Sequence, residues 1–189
     1  MRTESYSVLL ETARLIVRTP QTGDGHSYAD YYRRNREFLQ PWSPTFGADM
    51  FIDEEWESSI PLIQHEFSSG RSARFCLYLQ DRMIGVANLT SITRSPAYSA
   101  LLGYTLAEDV QGMGYMREAL DAILQYAMGY RNLHRISANY MPHNQRSGGL
   151  LRSLGFQVEG YARDYLLIDG KWQDHVLTTL TNFDWVAPA

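Results

Sequence analysis

Hydrophobic positions along the chain change period several times, and each change predicts an element. Residues 13–19 alternate as in a half-buried strand. From Asp24 to about Leu39 the spacing is helical, with Thr22 and Asp24 as candidate caps and Tyr28, Tyr31 and Tyr32 making an aromatic face. Pro41-Trp42-Ser43-Pro44 predicts a loop. A second helical period, Trp56, Ile60, Ile63 and Phe67, follows Asp53 as candidate cap and stops at Gly70, with Pro61 predicting a kink or the real start. Strands are expected over 75–79, 83–92 and 98–106, with Gln80-Asp81-Arg82 turning the first into the second.

Gln111-Gly112-Met113-Gly114-Tyr115-Met116 stands where that third strand gives way to a helix carrying Met116, Ala119, Leu120, Ile123, Leu124 and Ala127 at helical spacing. Glycine turns the backbone tightly, and the first turn of a helix has unpaired N–H groups at the positive end of its dipole. Such a turn also serves ordinary strand-to-helix connections; a diphosphate held by backbone is the more specific use. Beyond it, the pattern predicts a strand at 134–140, a helix at 144–154 ended by Gly155, and strands at 156–167 and 175–181 joined by a hairpin at Asp169-Gly170. Helices interrupting a mainly antiparallel sheet, with one parallel crossover around the glycine loop, make this an α/β chain. No repeat or linker divides it, so one domain is expected over 1–189.

Composition narrows the function classes. Seventeen basic against twenty-one acidic residues give a net charge of −4 without a basic block, which argues against direct nucleic-acid binding and mildly favours a basic peptide. The single cysteine, Cys76, in the apolar stretch Phe75-Cys76-Leu77, excludes an internal disulfide and a cysteine-built metal site. No signal-like segment and no run long enough to span a bilayer is visible, so a soluble, cytoplasmic protein is expected.

Several segments, in order, carry a family likeness: Leu10 to Arg18, Ile84-Gly85-Val86-Ala87-Asn88, the glycine loop, Asn139-Tyr140-Met141-Pro142-His143-Asn144, Arg146-Ser147-Gly148, Leu154-Gly155-Phe156, Glu159-Gly160-Tyr161, and the tail from Asp164 to Gly170 with Asp174-His175. Together they resemble the GNAT superfamily of acetyl-coenzyme A-dependent N-acetyltransferases, and within it the RimJ type of ribosomal-protein-alanine N-acetyltransferases. The family's loop reads Gln or Arg, two residues, Gly, one residue, Gly or Ala; this chain has Met116 in the last place, so that side chain must point away from the phosphates. The resemblance implies the GNAT fold, a mostly antiparallel mixed sheet with flanking helices whose central strands splay to admit coenzyme A. Acetyl-coenzyme A is then the cosubstrate, without a metal. A ribosomal-protein N-terminus is the substrate, with the assembling small ribosomal subunit as a further expected partner and no membrane.

The resemblance places the cofactor against Tyr104, Thr105 and Leu106 at the strand end, against Gln111, Gly112, Met113, Gly114, Tyr115 and Met116, and against Asn144 and Ser147. Asn144 is equally a good helix N-cap, and Gly148-Gly149 inside a helix costs about 1 kcal/mol each unless a ligand or neighbour comes close. By the same resemblance Ser147 protonates the departing thiolate.

An amine attacks a thioester only when neutral; an α-amine of pKa about 7.7 to 8.0 is partly so at neutral pH, whereas a lysine of about 10.4 is not. A modest carboxylate or an ordered water therefore suffices as base. Asn139 stands where some relatives carry a glutamate, and Leu166 where another does. Asp164, two residues earlier and so on the same strand face, is the candidate base, with Glu159 and His143 as others. Trp42, Tyr140, Tyr161 and Tyr165 are candidates for the peptide entrance, or core aromatics. Two alternatives stay open: acetylation of another amine, such as a different protein N-terminus, an antibiotic or a polyamine, or a coenzyme-binding ribosome-assembly factor with secondary activity.

Overall fold

The computed structural model describes residues 7–188, so 1–6 and 189 of the expected domain lie outside the description. The N-terminal alternation is cut in two: Leu9–Glu11 (β1) and Ile16–Arg18 (β2) form an antiparallel hairpin rather than one strand over 13–19. The turn closes because the Thr12 hydroxyl and amide both donate to the Leu15 carbonyl, at 3.1 and 3.0 Å.

Helix α1 (Gly25–Leu39) buries Tyr28, Tyr31 and Tyr32, as its period requires. Trp56 of α2 (Asp53–Ser68) stacks on Tyr28 with ring centroids 4.4 Å apart and lies parallel to Tyr32 at 5.5 Å, which docks the two helices through flat apolar area. Both expected caps need correction. Asp24 holds the N-cap position of α1 but makes no cap bond, because its carboxylate is taken by the Arg18 guanidinium at 2.6 and 2.7 Å. The N-cap of α2 is Ile52; Asp53 is its first helical residue and gives its carboxylate to His26 and Arg33 of α1. Pro61 lies inside α2, exposed, and the helix runs through it.

The strands β3 (Ala73–Leu79), β4 (Arg82–Thr90), β5 (Ser99–Leu106), β6 (Arg135–Tyr140), β7 (Gln157–Ile168) and β8 (Lys171–Thr181) complete an eight-stranded sheet of order β1-β2-β3-β4-β5-β6-β8-β7. Helix α3 (Tyr115–Gln125), continued by a wider turn at Tyr126–Tyr130, links β5 to β6, and α4 (Gln145–Ser153) follows β6. Asp169 and Gly170, at φ 46° and 72°, give the left-handed pair that a two-residue hairpin between β7 and β8 needs. Phe75, Leu77, Ile84, Leu89, Leu120, Ile123 and Ile136 are fully enclosed, each such burial contributing roughly 1.5 to 3 kcal/mol. Cys76 is a buried free thiol within this core. No helix among the described residues is long and apolar enough to cross a membrane.

One feature of the sheet positions the site. Among the described strands β5 and β6 form the parallel pair, and they are registered only at Ser99–Arg135, Ala100–Ile136 and Leu101–Ser137. Past Leu101, β5 stays paired to β4 as far as Leu106, while β6 stays paired to β8 as far as Tyr140. The sheet splits between them.

Candidate active site

The split opens a cavity of about 670 Å³, the size of a cofactor site. Tyr104, Thr105 and Leu106 line it from the free end of β5. Gln111, Gly112 and Gly114 line it from the loop, and Tyr115, Met116 and Arg117 from the first turn of α3. The loop is shaped by Gly112 and Gly114, both left-handed at φ 75° and 81°, a conformation open to glycine at little cost. A Cβ on Gly112 would meet nothing within 4 Å, so the glycine is kept for its backbone angle, not for close packing. Gln111 ties the loop to the strand, its amide donating to the carbonyls of Leu106 at 2.9 Å and Ala107 at 3.2 Å.

The next hydrogen-bonded amide along the loop is that of Glu118, which donates to the Gly114 carbonyl at 3.1 Å. Between it and Gln111, the amides of residues 112–117 have no acceptor among the described residues. Unpaired amides in a left-handed turn at a helix N-terminus fit a diphosphate. Met116 answers the sequence departure: its side chain is buried with the core, 6 % exposed, so the residue offers the cavity its backbone. Met113 does not line the cavity; its side chain is 54 % exposed and its carbonyl accepts from Arg14 at 2.9 Å.

A second helix start faces the same space. Asn144 caps α4, its Oδ1 accepting from the Ser147 amide at 3.1 Å, and Asn144, Ser147, Gln145, Arg146 and Leu150 all line the cavity. The Ser147 hydroxyl lies 2.8 Å from the Tyr104 hydroxyl, so a residue of β5 and one of α4 touch across the opening. Burial, opposed by that hydrogen bond, pushes the Tyr104 phenol up to about 12. Gly148 is needed for the chain itself: a Cβ there would stand 2.7 Å from the Tyr140 ring. That packing also places Tyr140 beneath α4 and outside the cavity lining.

Trp42 lines the cavity, its ring centroid 5.5 Å from that of His143, which lines it too. Tyr165 does not; its hydroxyl accepts from Asn139 at 3.4 Å and its ring lies beside His175. Tyr161 is likewise engaged elsewhere, donating to Asp174 at 2.6 Å. Asp164 is also outside the lining. The expectation that it shares a face with residue 166 assumed unbroken alternation, but the β7–β8 register shifts between Ala162 and Leu166, and Asp164 itself has φ 45°. Glu159 is held by Arg135 and Thr179, which keep its carboxyl below the usual range.

Phe38, Leu39, Arg117, Gln145 and Leu150 reach the cavity without having been singled out from sequence, and Arg146 stood there only as part of a family segment. The two arginines stand in the first turns of α3 and α4, where a cation beside an anion-binding loop is a readable signal; Phe38 and Leu39 carried none, since only the fold brings the end of α1 here.

Comparison with known proteins agrees with this geometry. A family model described as an acetyltransferase (GNAT) domain matches residues 14–157. The [ribosomal protein uS5]-alanine N-acetyltransferase of Escherichia coli is 46% identical over 180 residues, covering 94% of this chain and 93% of the relative. The solved structure of a ribosomal-protein-S5-alanine acetyltransferase from Vibrio fischeri superposes with a TM-score of 0.92 at 34% identity, covering 95% of this chain and 100% of that one. Mycobacterium smegmatis RimJ in complex with CoA-disulfide gives 0.86 at 27% identity, with 94% and 88% covered. With its strand split, its loop and its matched length, the chain belongs to the GNAT acetyltransferase family.

Proposed function

We propose that this protein transfers the acetyl group of acetyl-coenzyme A to the N-terminal α-amine, alanine by preference, of a small-subunit ribosomal protein. The observation that carries the proposal is the cavity at the β5–β6 split, where unpaired loop amides and the Tyr104–Ser147 pair face one space. The name of the Escherichia coli relative supports the choice of substrate.

When bound, acetyl-coenzyme A supplies a thioester carbonyl to be attacked. The amides of residues 112–117 and the guanidinium groups of Arg117 and Arg146 would hold its diphosphate, and Tyr104, Thr105 and Leu106 would line the space left for its arm. The Ser147 hydroxyl would pass its proton to the departing sulfur as the C–N bond forms and the C–S bond breaks, and would recover a proton from solvent. Among the cavity's side chains His143 suits the proton that the amine loses, because histidine is the residue type that exchanges protons near neutrality. Trp42 beside it forms one wall of the peptide entrance. Asp164, away from the lining, has no step here.

The test compares intact masses of ribosomal proteins from cells with and without this chain. One small-subunit protein is expected to differ by one acetyl group at its N-terminus. Identical masses throughout, together with no turnover of alanine-initiated peptides by the purified protein, would refute the proposal.

A further inference from the structure

We infer that Arg14 is a positioning residue for the diphosphate loop: it holds the Met113 carbonyl from behind and thereby turns the Gly114 amide toward the cavity. The inference rests on the reading that this loop grips the diphosphate of coenzyme A.

Arg14 sits in the β1–β2 turn, 45 % exposed and outside the cavity lining, yet four contacts tie it to the loop and the first turn of α3. Its Nη1 donates to the Met113 carbonyl at 2.9 Å and its Nε to Glu118 Oε2 at 2.6 Å. Its backbone amide donates to Glu118 Oε1 at 2.7 Å, and its guanidinium lies 4.4 Å over the Tyr115 ring. The Thr12 hydroxyl donates to the same Glu118 oxygen at 2.7 Å. Burial works to raise the Glu118 carboxyl, but the bonds from Thr12 and Arg14 outweigh it and keep the group ionised below the usual range.

The Met113 carbonyl and the Gly114 N–H belong to one planar, trans peptide, so they point in opposite directions. Fixing the carbonyl toward Arg14 fixes the N–H away from it, and Gly114, unlike Met113, lines the cavity. Among the described residues the loop's other hydrogen bonds stand at its two ends, where Gln111 holds the strand end and the Glu118 amide holds the Gly114 carbonyl, and neither falls on the Met113–Gly114 peptide. A flexible left-handed glycine turn with no internal amide bonds would lose anion affinity to disorder unless both ends were held. Stability alone does not explain the arrangement, since a half-exposed ion pair contributes little to folding.

Calorimetry with coenzyme A on the wild type, Arg14→Ala and Arg14→Lys decides the matter, with thermal melting to monitor the fold. Arg14→Ala is expected to weaken coenzyme A binding about tenfold, the size of one lost charge-assisted hydrogen bond. KM for acetyl-coenzyme A should rise in step, while kcat and KM for the peptide move much less. Arg14→Lys keeps the charge, but a point charge cannot bond Glu118 and Met113 through a fork while lying flat on Tyr115, so it should also bind several-fold more weakly. Wild-type affinity in either folded variant overturns the inference. If Arg14→Ala fails to fold, Arg14→Lys alone decides. A wild type that takes up no coenzyme A would instead bring down the reading of the loop itself.

Discussion

A serine hydroxyl has one proton, and its neighbours decide where that proton points. Ser147 lies 2.8 Å from Tyr104, whose phenol is pushed up to about 12 by burial and so stays protonated through the working range. On the proposed function, the phenol donates to Ser147 and leaves the Ser147 proton for the leaving sulfur. Ser147→Ala should lower kcat about a hundredfold, within the usual worth of a placed acid. Tyr104→Phe, which keeps the ring, should cost about tenfold in kcat with little change in KM for acetyl-coenzyme A, and the double variant should be no slower than Ser147→Ala alone. Additive losses in that cycle would separate the two groups. The neighbouring glycines make a matched pair of stability tests. A Cβ on Gly148 would stand 2.7 Å from the Tyr140 ring, whereas one on Gly149 would meet nothing within 4 Å. Gly148→Ala should therefore destabilise by about 1 to 3 kcal/mol through overpacking, and Gly149→Ala should stabilise by up to about 1 kcal/mol, both read by chemical denaturation.

At the scale of elements, α3 and α4 were legible because their apolar period and flanking glycines act locally: Gly114 and Gly155 take left-handed angles at the places the pattern predicts. The β1–β2 hairpin was not: its turn closes through Thr12 and Leu15, but what anchors that turn to the rest of the fold is Glu118 of α3, a partner more than a hundred residues away in sequence. The displaced role of Asp24 has the same origin. Its position says cap, but Arg18 on β2 lies against it, and no local pattern reveals that pairing. Of the cavity lining, Gln111, Gly112, Gly114, Asn144 and Ser147 were legible in the sequence, whereas Asp164 could not be placed, since a strand irregularity leaves no mark in alternation. Asp24 also sets a pH response. Burial works to raise its carboxyl, but the Arg18 hydrogen bonds, the Gln21 amide and the Tyr78 hydroxyl outweigh it and hold the group below its ordinary 3.8. The folded value is the depressed one, so the stabilisation is complete above the unfolded value and is lost as pH falls through the folded one. Asp24→Asn should cost about 2 to 4 kcal/mol at pH 7, leaving Arg18 partly buried without its counter-charge. Denaturation curves for variant and wild type should then converge below pH 3.8.

For the whole molecule, the split sheet brings two helix N-termini and two arginines, Arg117 and Arg146, to one cavity inside a chain of net charge −4. That grouping suits a diphosphate, whose negative charge would offset the two arginines once it is bound. The cavity contains no carboxylate among its lining residues to strip a proton from lysine. Selectivity should therefore follow the amine's own ionisation. With an alanine-initiated peptide, kcat/KM should climb about tenfold per pH unit and level off near pH 8, the α-amine range. With the same peptide blocked at its N-terminus and carrying a lysine, it should go on climbing toward about pH 10, starting some hundredfold lower at pH 7. The gap between the two substrates should narrow steadily as pH rises. Equal rates at pH 7 would mean that the cavity deprotonates lysine itself, which requires a different account of how the split sheet chooses its substrate.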